Sequence, residues 1–288
     1  MMARRGPGSE RQGTTSALAK VRTRRLRVGE RPAQDAQSGM TPLHFGVRAH
    51  APSWPTMVPP DIERLLDNPV WSCLTTRHAH LALGGATARR YPAAISPITG
   101  FPDDGPADIG ALESLVDVGD DMGAVGPRVP ELSSNWETLF EAAVTQMIRA
   151  EHSPLPEGDV DAVILSEADV ADMLALVELT QPGPFRPRTI ELGRFIGIRE
   201  DGRLLAMAGE RMWVSDCREM SGICTHPDAQ GRGYARALSG RVVNRMLASG
   251  QLPILHVLSS NTRAIGMYEA LGFVARTEFP LLHARRLG

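Results

Sequence analysis

The sequence predicts a mixed α+β chain whose most regular part is its second half. Three observations carry that prediction. Glu219 to Ala235 reads as an extended run, a stop at Pro227-Asp228, a small-residue loop and then a helix. From about residue 161 onward, strand and helix patterns alternate with clear punctuation, whereas 58–150 mixes short patterns of both kinds. The chain has 288 residues and 42% hydrophobic content, enough for two domains with a sizeable core. The organisation expected is a basic tail and Pro-rich lead-in over 1–57, an α+β module over 58–150, a linker over 151–160 and a domain over 161–288.

The first stretch, to about Met40, is rich in Arg, Gly, Ser, Gln and Thr and poor in large apolar residues. It cannot bury enough surface to order itself and is expected to be a flexible tail, with Met40 as an alternative start. Pro52, Pro55, Pro59 and Pro60 then make an extended lead-in. Asp61 to Leu66 gives a short amphipathic helix, and Asn68-Pro69 can open a second one, with Pro69 at its first position. Tyr91 to Ile98 is a proline-punctuated strand candidate, and Ala107 to Val116 is a helix. Trp136 to Ile148 suits a strand or a helix equally. Cys73, His78 and His80 lack a fourth ligand at metal spacing and read as packing or surface groups.

After the linker, Val160 to Leu165 is a strand. Ser166 caps a helix over Glu167 to Leu179 whose apolar face is Val170, Met173, Leu174 and Val177. Phe195 to Arg199 and Leu204 to Val214, joined by Asp201-Gly202, form an antiparallel hairpin. The strand at Glu219 follows, then the loop and a helix to about Leu247. Leu238, Val242, Met246 and Leu247 are on its buried side, and Gly250 ends it. Pro253 to Leu258 is a strand, Asn261 caps a helix to Ala270, and Gly272 closes it. Phe273 to Thr277 and Leu281 to Ala284 supply the last strands.

The loop Gln230 to Ala235 presents successive backbone N–H groups with little bulk at Gly231 and Gly233. At the start of a helix these are unpaired donors, and the helix dipole adds positive potential: a cradle for phosphate or diphosphate. A dinucleotide-binding fold would want a third glycine where Arg236 stands, and no Gly-Lys-Ser/Thr of a P-loop is present. The spacing Gln230-x-x-Gly233-x-Ala235, within Ile223 to Ala235, resembles the acyl-CoA-binding signature of the GCN5-related N-acetyltransferases (GNAT), and most closely their FR47-like branch. Asn261 to Phe273 is similar to the second signature of that family, and the resemblance runs from about Asp161 to the C-terminus. It implies the GNAT acyl-CoA N-acyltransferase fold there, with 58–150 a degenerate GNAT-like half as one option.

The resemblance also implies an activity: transfer of an acetyl group from acetyl-CoA to a primary amine by direct attack, without a metal. By the same resemblance, cofactor contacts come from Ile223, Cys224 and Thr225 on the strand, from Gln230, Gly231, Arg232, Gly233, Tyr234, Ala235 and Arg236 in the loop and first helical turn, and from Asn261 and Tyr268. Strand alternation puts Glu219, Ser221, Ile223 and Thr225 on one side. The strand is expected to splay from Pro253 to Leu258, leaving an edge to which pantetheine adds through backbone groups of Ile223 and Thr225.

Glu219 stands where histone-acetyltransferase-type members carry a glutamate base. Its neighbours Met220, Gly222 and Ile223 are apolar, which is expected to raise its pKa toward the working range. Tyr268, two helical turns past Asn261, is the implied general acid for the leaving thiolate. His256 assists or packs, and Arg211, Trp213 and Phe185 are candidates for the acceptor pocket.

Other classes fare worse. A net charge of −2 argues against nucleic acid as a bulk partner. No apolar run suits a membrane span or signal peptide, and three widely spaced cysteines fit reduced thiols, so a cytoplasmic location is expected. The competing readings are a non-catalytic acyl-CoA-binding module and a nucleotide-binding regulator. The acceptor, a small molecule or a peptide, stays open, as does the oligomeric state, a homodimer included.

Overall fold

The computed structural model describes residues 58–105, 107–149 and 151–288, so the tail and lead-in expected over 1–57 lie outside the described residues. In chain order the elements are α1 (Pro60–Asp67), α2 (Pro69–Thr75), β1 (Leu83–Gly84), β2 (Arg89–Arg90), β3 (Ile98–Gly100), α3 (Ile109–Glu113), β4 (Asp121–Val125) and β5 (Trp136–Ile148). There follow β6 (Ala162–Leu165), α4 (Val170–Thr180), β7 (Phe195–Glu200), β8 (Arg203–Val214), β9 (Cys217–Thr225), α5 (Tyr234–Ala248), β10 (Leu252–Leu258), α6 (Thr262–Glu269) and β11 (Val274–Arg286).

The eleven strands form one mixed sheet in the order β1-β2-β3-β4-β11-β5-β10-β9-β8-β7-β6. Strand β5 fills the place between β10 and β11, antiparallel to both, so strands from before and after 151–160 alternate in that sheet. The ambiguity of Trp136 to Ile148 is resolved by these two partners. Arg149, almost fully buried, then ties the chain down by donating to the carbonyls of Leu271, Glu151 and Ser153.

Local expectations hold where turn and cap chemistry decides. Ser166 and Asp169 form a reciprocal capping box ahead of α4. Asp201 and Gly202, both at positive φ, make the tight turn between β7 and β8. Two expectations fail. Tyr91 to Ile98 is not a strand: Pro92 and Pro97 remove ladder donors, and only β2 and β3 on either side pair. The last two strands are one, β11, carried through Pro280 with register shifts near Thr277 and Ala284.

Each face of the sheet is covered. On one face α5 and α6 enclose Met147, Ile196, Ile198, Ala206, Ala208, Met220, Leu255 and Val257. On the other, α1 and α2 cover Ile148, Met212, Val214, Cys217 and Ile254, while α4 covers Leu165, Phe195, Met207 and Cys224. Among the described residues, no helix is long and apolar enough to cross a membrane.

Candidate active site

The site is organised by β9. It pairs in parallel with β10 for only three residues, ending at Ile254↔Glu219. Beyond that step β9 continues to Thr225 beside β8 alone, while β10 continues to Leu258 beside β5 alone. The sheet therefore forks, and one edge of β9 past Glu219 is bare. This is the splay expected from the sequence.

Two bulges shape the fork. Between Glu210↔Met220 and Trp213↔Arg218, strand β8 holds an extra residue at Arg211-Met212. Between Met207↔Cys224 and Gly209↔Ser221, strand β9 holds one at Gly222-Ile223. The second reverses the alternation. Met220 and Ile223 both pack toward α5, while Cys217 and Cys224 face the opposite side. The expected grouping of Glu219 with Ile223 on one side is thus corrected, because the bulge shifts the parity of the strand. Gly222 sits at φ +66, and a Cβ there would meet the Phe195 ring at 3.0 Å, so no other residue fits this bulge without strain.

At the far end of β9 the chain passes through a 3₁₀ turn at Pro227–Ala229, with His226 accepting from the Asp228 amide, and enters the glycine loop. Gly231 and Gly233 take the left-handed conformation, φ +80 and +79, with open space where a Cβ would stand. Gly233 is the N-cap of α5 and offers no side chain to its amides. The first amide of the helix with a backbone acceptor is that of Ala237, to Gly233. Among the described residues, the six N–H groups from Gly231 to Arg236 have no acceptor, and they lie at the positive end of a fifteen-residue helix. The run of unpaired amides expected at the start of this helix is present.

Glu219 is where the structure departs most from the sequence reading. Its side chain is fully buried. Oε1 accepts from Arg211 Nη2 at 2.7 Å and from His256 Nδ1 at 2.8 Å. Oε2 accepts from Arg211 Nε at 2.8 Å and from the Met212 amide at 3.2 Å. Burial by itself would push the carboxyl pKa up, but the Arg211 guanidinium and the His256 bond outweigh it and hold it well below the usual carboxylate range. The expected upward shift is therefore corrected. With four hydrogen bonds accepted, the carboxylate has no free lone pair in this arrangement for the proton expected of a general base.

His256 is equally committed. Gln146 Oε1 accepts from Arg276, so its NH₂ group donates both to the Leu66 carbonyl and to His256 Nε2. Nε2 is then an acceptor, and Nδ1 carries the hydrogen given to Glu219. A closed network thus runs from Arg211 through Glu219, His256, Gln146 and Arg276 to Asp67. Arg211 and His256 are legible in the sequence as candidates for a pocket or for packing, but their pairing with Glu219 is not. Extending the hairpin register from Val214↔Cys217 would put Met212 opposite Glu219, and only the bulge brings Arg211 in.

Tyr268 is on α6, on the α5 side of the sheet, packed edge-on to Phe273 with ring centroids 6.1 Å apart. Burial pushes its hydroxyl up to about 12, so the phenol keeps its proton at neutral pH. Asn261 caps α6 as expected, its Oδ1 accepting from the Ala264 amide at 3.1 Å. Glu219 and Tyr268 thus stand on opposite faces, with the fork between them. Among the candidate acceptor-pocket residues, Phe185 is buried against Phe195, and Trp213 is stacked between the Arg77 and Arg218 guanidinium groups. Both are packing residues. Among the described residues, no group of three or more His, Cys, Asp or Glu gathers to hold a metal.

The family model described as FR47-like protein matches residues 195–280, which spans β7 through the fork, cradle and α6 into β11. A solved structure from Novosphingobium aromaticivorans, described as a "Putative Acetyltransferase from the GNAT family", is 37% identical with a TM-score of 0.69. The match covers 77% of this chain and 98% of that one. A GCN5-related N-acetyltransferase from Kribbella flavida shares the fold at 16% identity and a TM-score of 0.51, over 77% of this chain and 96% of that one. A search of the curated proteins finds no match.

Proposed function

The chain belongs to the GNAT family of acetyltransferases, and from that premise we propose that it moves an acetyl group from acetyl-CoA to a primary amine by direct attack within a ternary complex. The observation that carries this reading is the parting of β9 from β10 after Ile254↔Glu219, with the bare edge of β9 running on into the six unpaired amides. Pantetheine is an extended chain containing amide groups, and such a chain adds to a free strand edge through main-chain hydrogen bonds, here from Ile223 and Thr225. The diphosphate lies against the amides of Gly231 to Arg236, where the α5 dipole favours negative charge. Asn261 has committed its Oδ1 to the cap and keeps Nδ2 to donate to a pantetheine carbonyl.

In the chemical step the amine nitrogen bonds to the thioester carbon, and the carbonyl oxygen takes up negative charge. The bulge at Gly222-Ile223 leaves a residue unpaired in the ladder, and to its backbone N–H we assign that oxyanion. The carbon–sulfur bond then breaks. Tyr268, kept protonated by burial, donates its proton to the leaving thiolate, while the nitrogen, cationic after attack, sheds one proton to solvent and the Tyr268 phenolate takes one back. The amine arrives neutral, its proton already lost to solvent, because Glu219 has no free lone pair to receive one. Glu219 with Arg211 instead fixes the apex of the fork.

The test is a panel of small amines, amino acids and peptides incubated with acetyl-CoA, read by acceptor mass gain and by thiol release. Acetylation of an amine with one thiol freed per product is the expected result. Saturable CoA binding with no thiol release for any amine would replace the enzyme with an acyl-CoA-binding module.

A further inference from the structure

Glu200, at the end of β7, reaches the glycine loop from outside. Its Oε1 accepts from the Tyr234 hydroxyl at 2.5 Å, and its two oxygens accept from Arg232 Nη1 at 3.0 and 2.9 Å. These bonds, the Tyr234 hydroxyl first and then Arg232, keep the Glu200 carboxyl below its ordinary range, so it is ionised at neutral pH. Tyr234 is the first residue of α5, and Arg232 lies between the two left-handed glycines. One carboxylate therefore holds both the middle of the loop and the start of the helix.

A loop with two glycines at positive φ and no side-chain cap has little of its own to hold it in one shape. Six unpaired amides can converge on one ligand at little cost only if the loop is held before the ligand arrives. Arg232 is also pinned on its other side, Nη2 lying 3.4 Å from the Asp228 carbonyl. Its guanidinium is thereby spent on the loop rather than left free for an anion.

We propose that Glu200 is a positioning residue for the diphosphate, fixing the Gly231–Gly233 loop through Tyr234 and Arg232 without touching the ligand. This rests on the reading of the loop as the CoA diphosphate site. It predicts a penalty confined to ligands that carry a diphosphate. Glu200→Ala should weaken CoA binding by about fivefold, the order that an exposed ion pair and one charge-assisted hydrogen bond support. Binding of pantetheine, which lacks the diphosphate, should be unchanged. Tyr234→Phe should carry part of the same penalty, and the double variant should be no worse than Glu200→Ala alone, because the two residues act through one contact.

The experiment is calorimetric titration of wild-type protein and the three variants with CoA, and of the same proteins with pantetheine by ligand-observed NMR. Melting curves should coincide for all four, since Glu200 is solvent-exposed. A CoA-specific, non-additive loss supports the assignment. Unchanged or tighter CoA binding in Glu200→Ala overturns it, as does an equal loss for pantetheine. Absence of saturable CoA binding to the wild-type protein would instead sink the functional reading itself, so the two failures are distinguishable.

Discussion

Replacing Glu219 with glutamine separates an anchoring carboxylate from a catalytic one. The two oxygens accept four hydrogen bonds, two from Arg211 and one each from His256 and the Met212 amide. Glutamine offers one oxygen and one NH₂, so whichever way it turns, two donors meet a hydrogen instead of a lone pair. If the NH₂ faces His256, the imidazole can move its hydrogen to Nε2, but that nitrogen faces the Gln146 NH₂, whose orientation Arg276 fixes. The mismatch is handed along the network rather than removed. Breaking a buried pair by removing one partner costs roughly 3–5 kcal/mol; with volume and two bonds kept, about 3 kcal/mol is expected. For a protein of this size that lowers Tm by about 6–12 °C.

The pH dependence has a definite sign. A carboxyl whose folded pKa is depressed contributes stability that is fully present above its unfolded value, near 4.5, and is lost as the pH falls from there toward the folded pKa. The Tm gap between wild type and Glu219→Gln should therefore be flat from about pH 6 to pH 9 and narrow only in acid. In the folded fraction, kcat/KM for the amine should rise with pH in the same way in both proteins, following the amine's own ionisation. The opposite outcome is a variant that melts with wild type while turnover collapses and the profile changes shape. That result would make Glu219 a reacting group.

Tyr268→Phe should lower kcat by about a hundredfold with CoA affinity unchanged by calorimetry, since only the proton to the thiolate is lost; a wild-type rate would discard the assignment. With its hydroxyl pushed up to about 12, the wild-type enzyme should show no loss of kcat from this group below about pH 11. Asn261→Ala removes a helix cap and should cost about 1 kcal/mol, read as a small Tm drop, together with weaker CoA binding. Gly209→Ala would put a Cβ 2.2 Å from Phe195 Cδ1, and overpacking of that kind costs about 1–3 kcal/mol or more. Combining it with Phe195→Leu should recover part of the lost Tm, and no recovery would mean that the glycine is needed for another reason.

The cradle, the α6 cap and the β7–β8 hairpin could be read from the sequence because each is decided within a few residues. Gly231 and Gly233 answer a need for positive φ, Asn261 answers an unpaired amide, and Asp201-Gly202 answers a tight turn. What could not be read depends on partners far away in the chain. Trp136 to Ile148 fits both periodicities, and its choice is made by β10 and β11, more than a hundred residues later. Glu219 looked apolar in its surroundings because its sequence neighbours are apolar. Its actual environment comes from Arg211 across a bulge and His256 on the adjacent strand. Neighbours in sequence are a poor guide to the field at a strand residue, because successive side chains leave on opposite faces.

The buried ion pair is better understood as a register device than as a stability device. A charged pair taken out of water is often no more stabilising than apolar groups of the same size. Its position is the informative fact: Glu219 is the last residue of β9 paired to β10, and His256, which it holds, is the first residue of β10 past the fork whose side chain lies on the same face. One residue further on, β9 could in principle continue pairing with β10 and close the gap. Two features oppose that. The Gly222-Ile223 bulge increases the local twist of β9 away from its former neighbour. His256, tied to Glu219 on one side and to Gln146 of β5 on the other, holds β10 to β5. Sliding β9 by one residue would flip Glu219 to the α5 face, against Leu238 and Val242, and Met220 to the other, leaving Arg211 buried without its partner. The cost of that slip keeps the fork open at one fixed residue, and a fixed fork keeps the distance from the glycine loop to the apex constant, as the proposed grip on the donor's diphosphate requires.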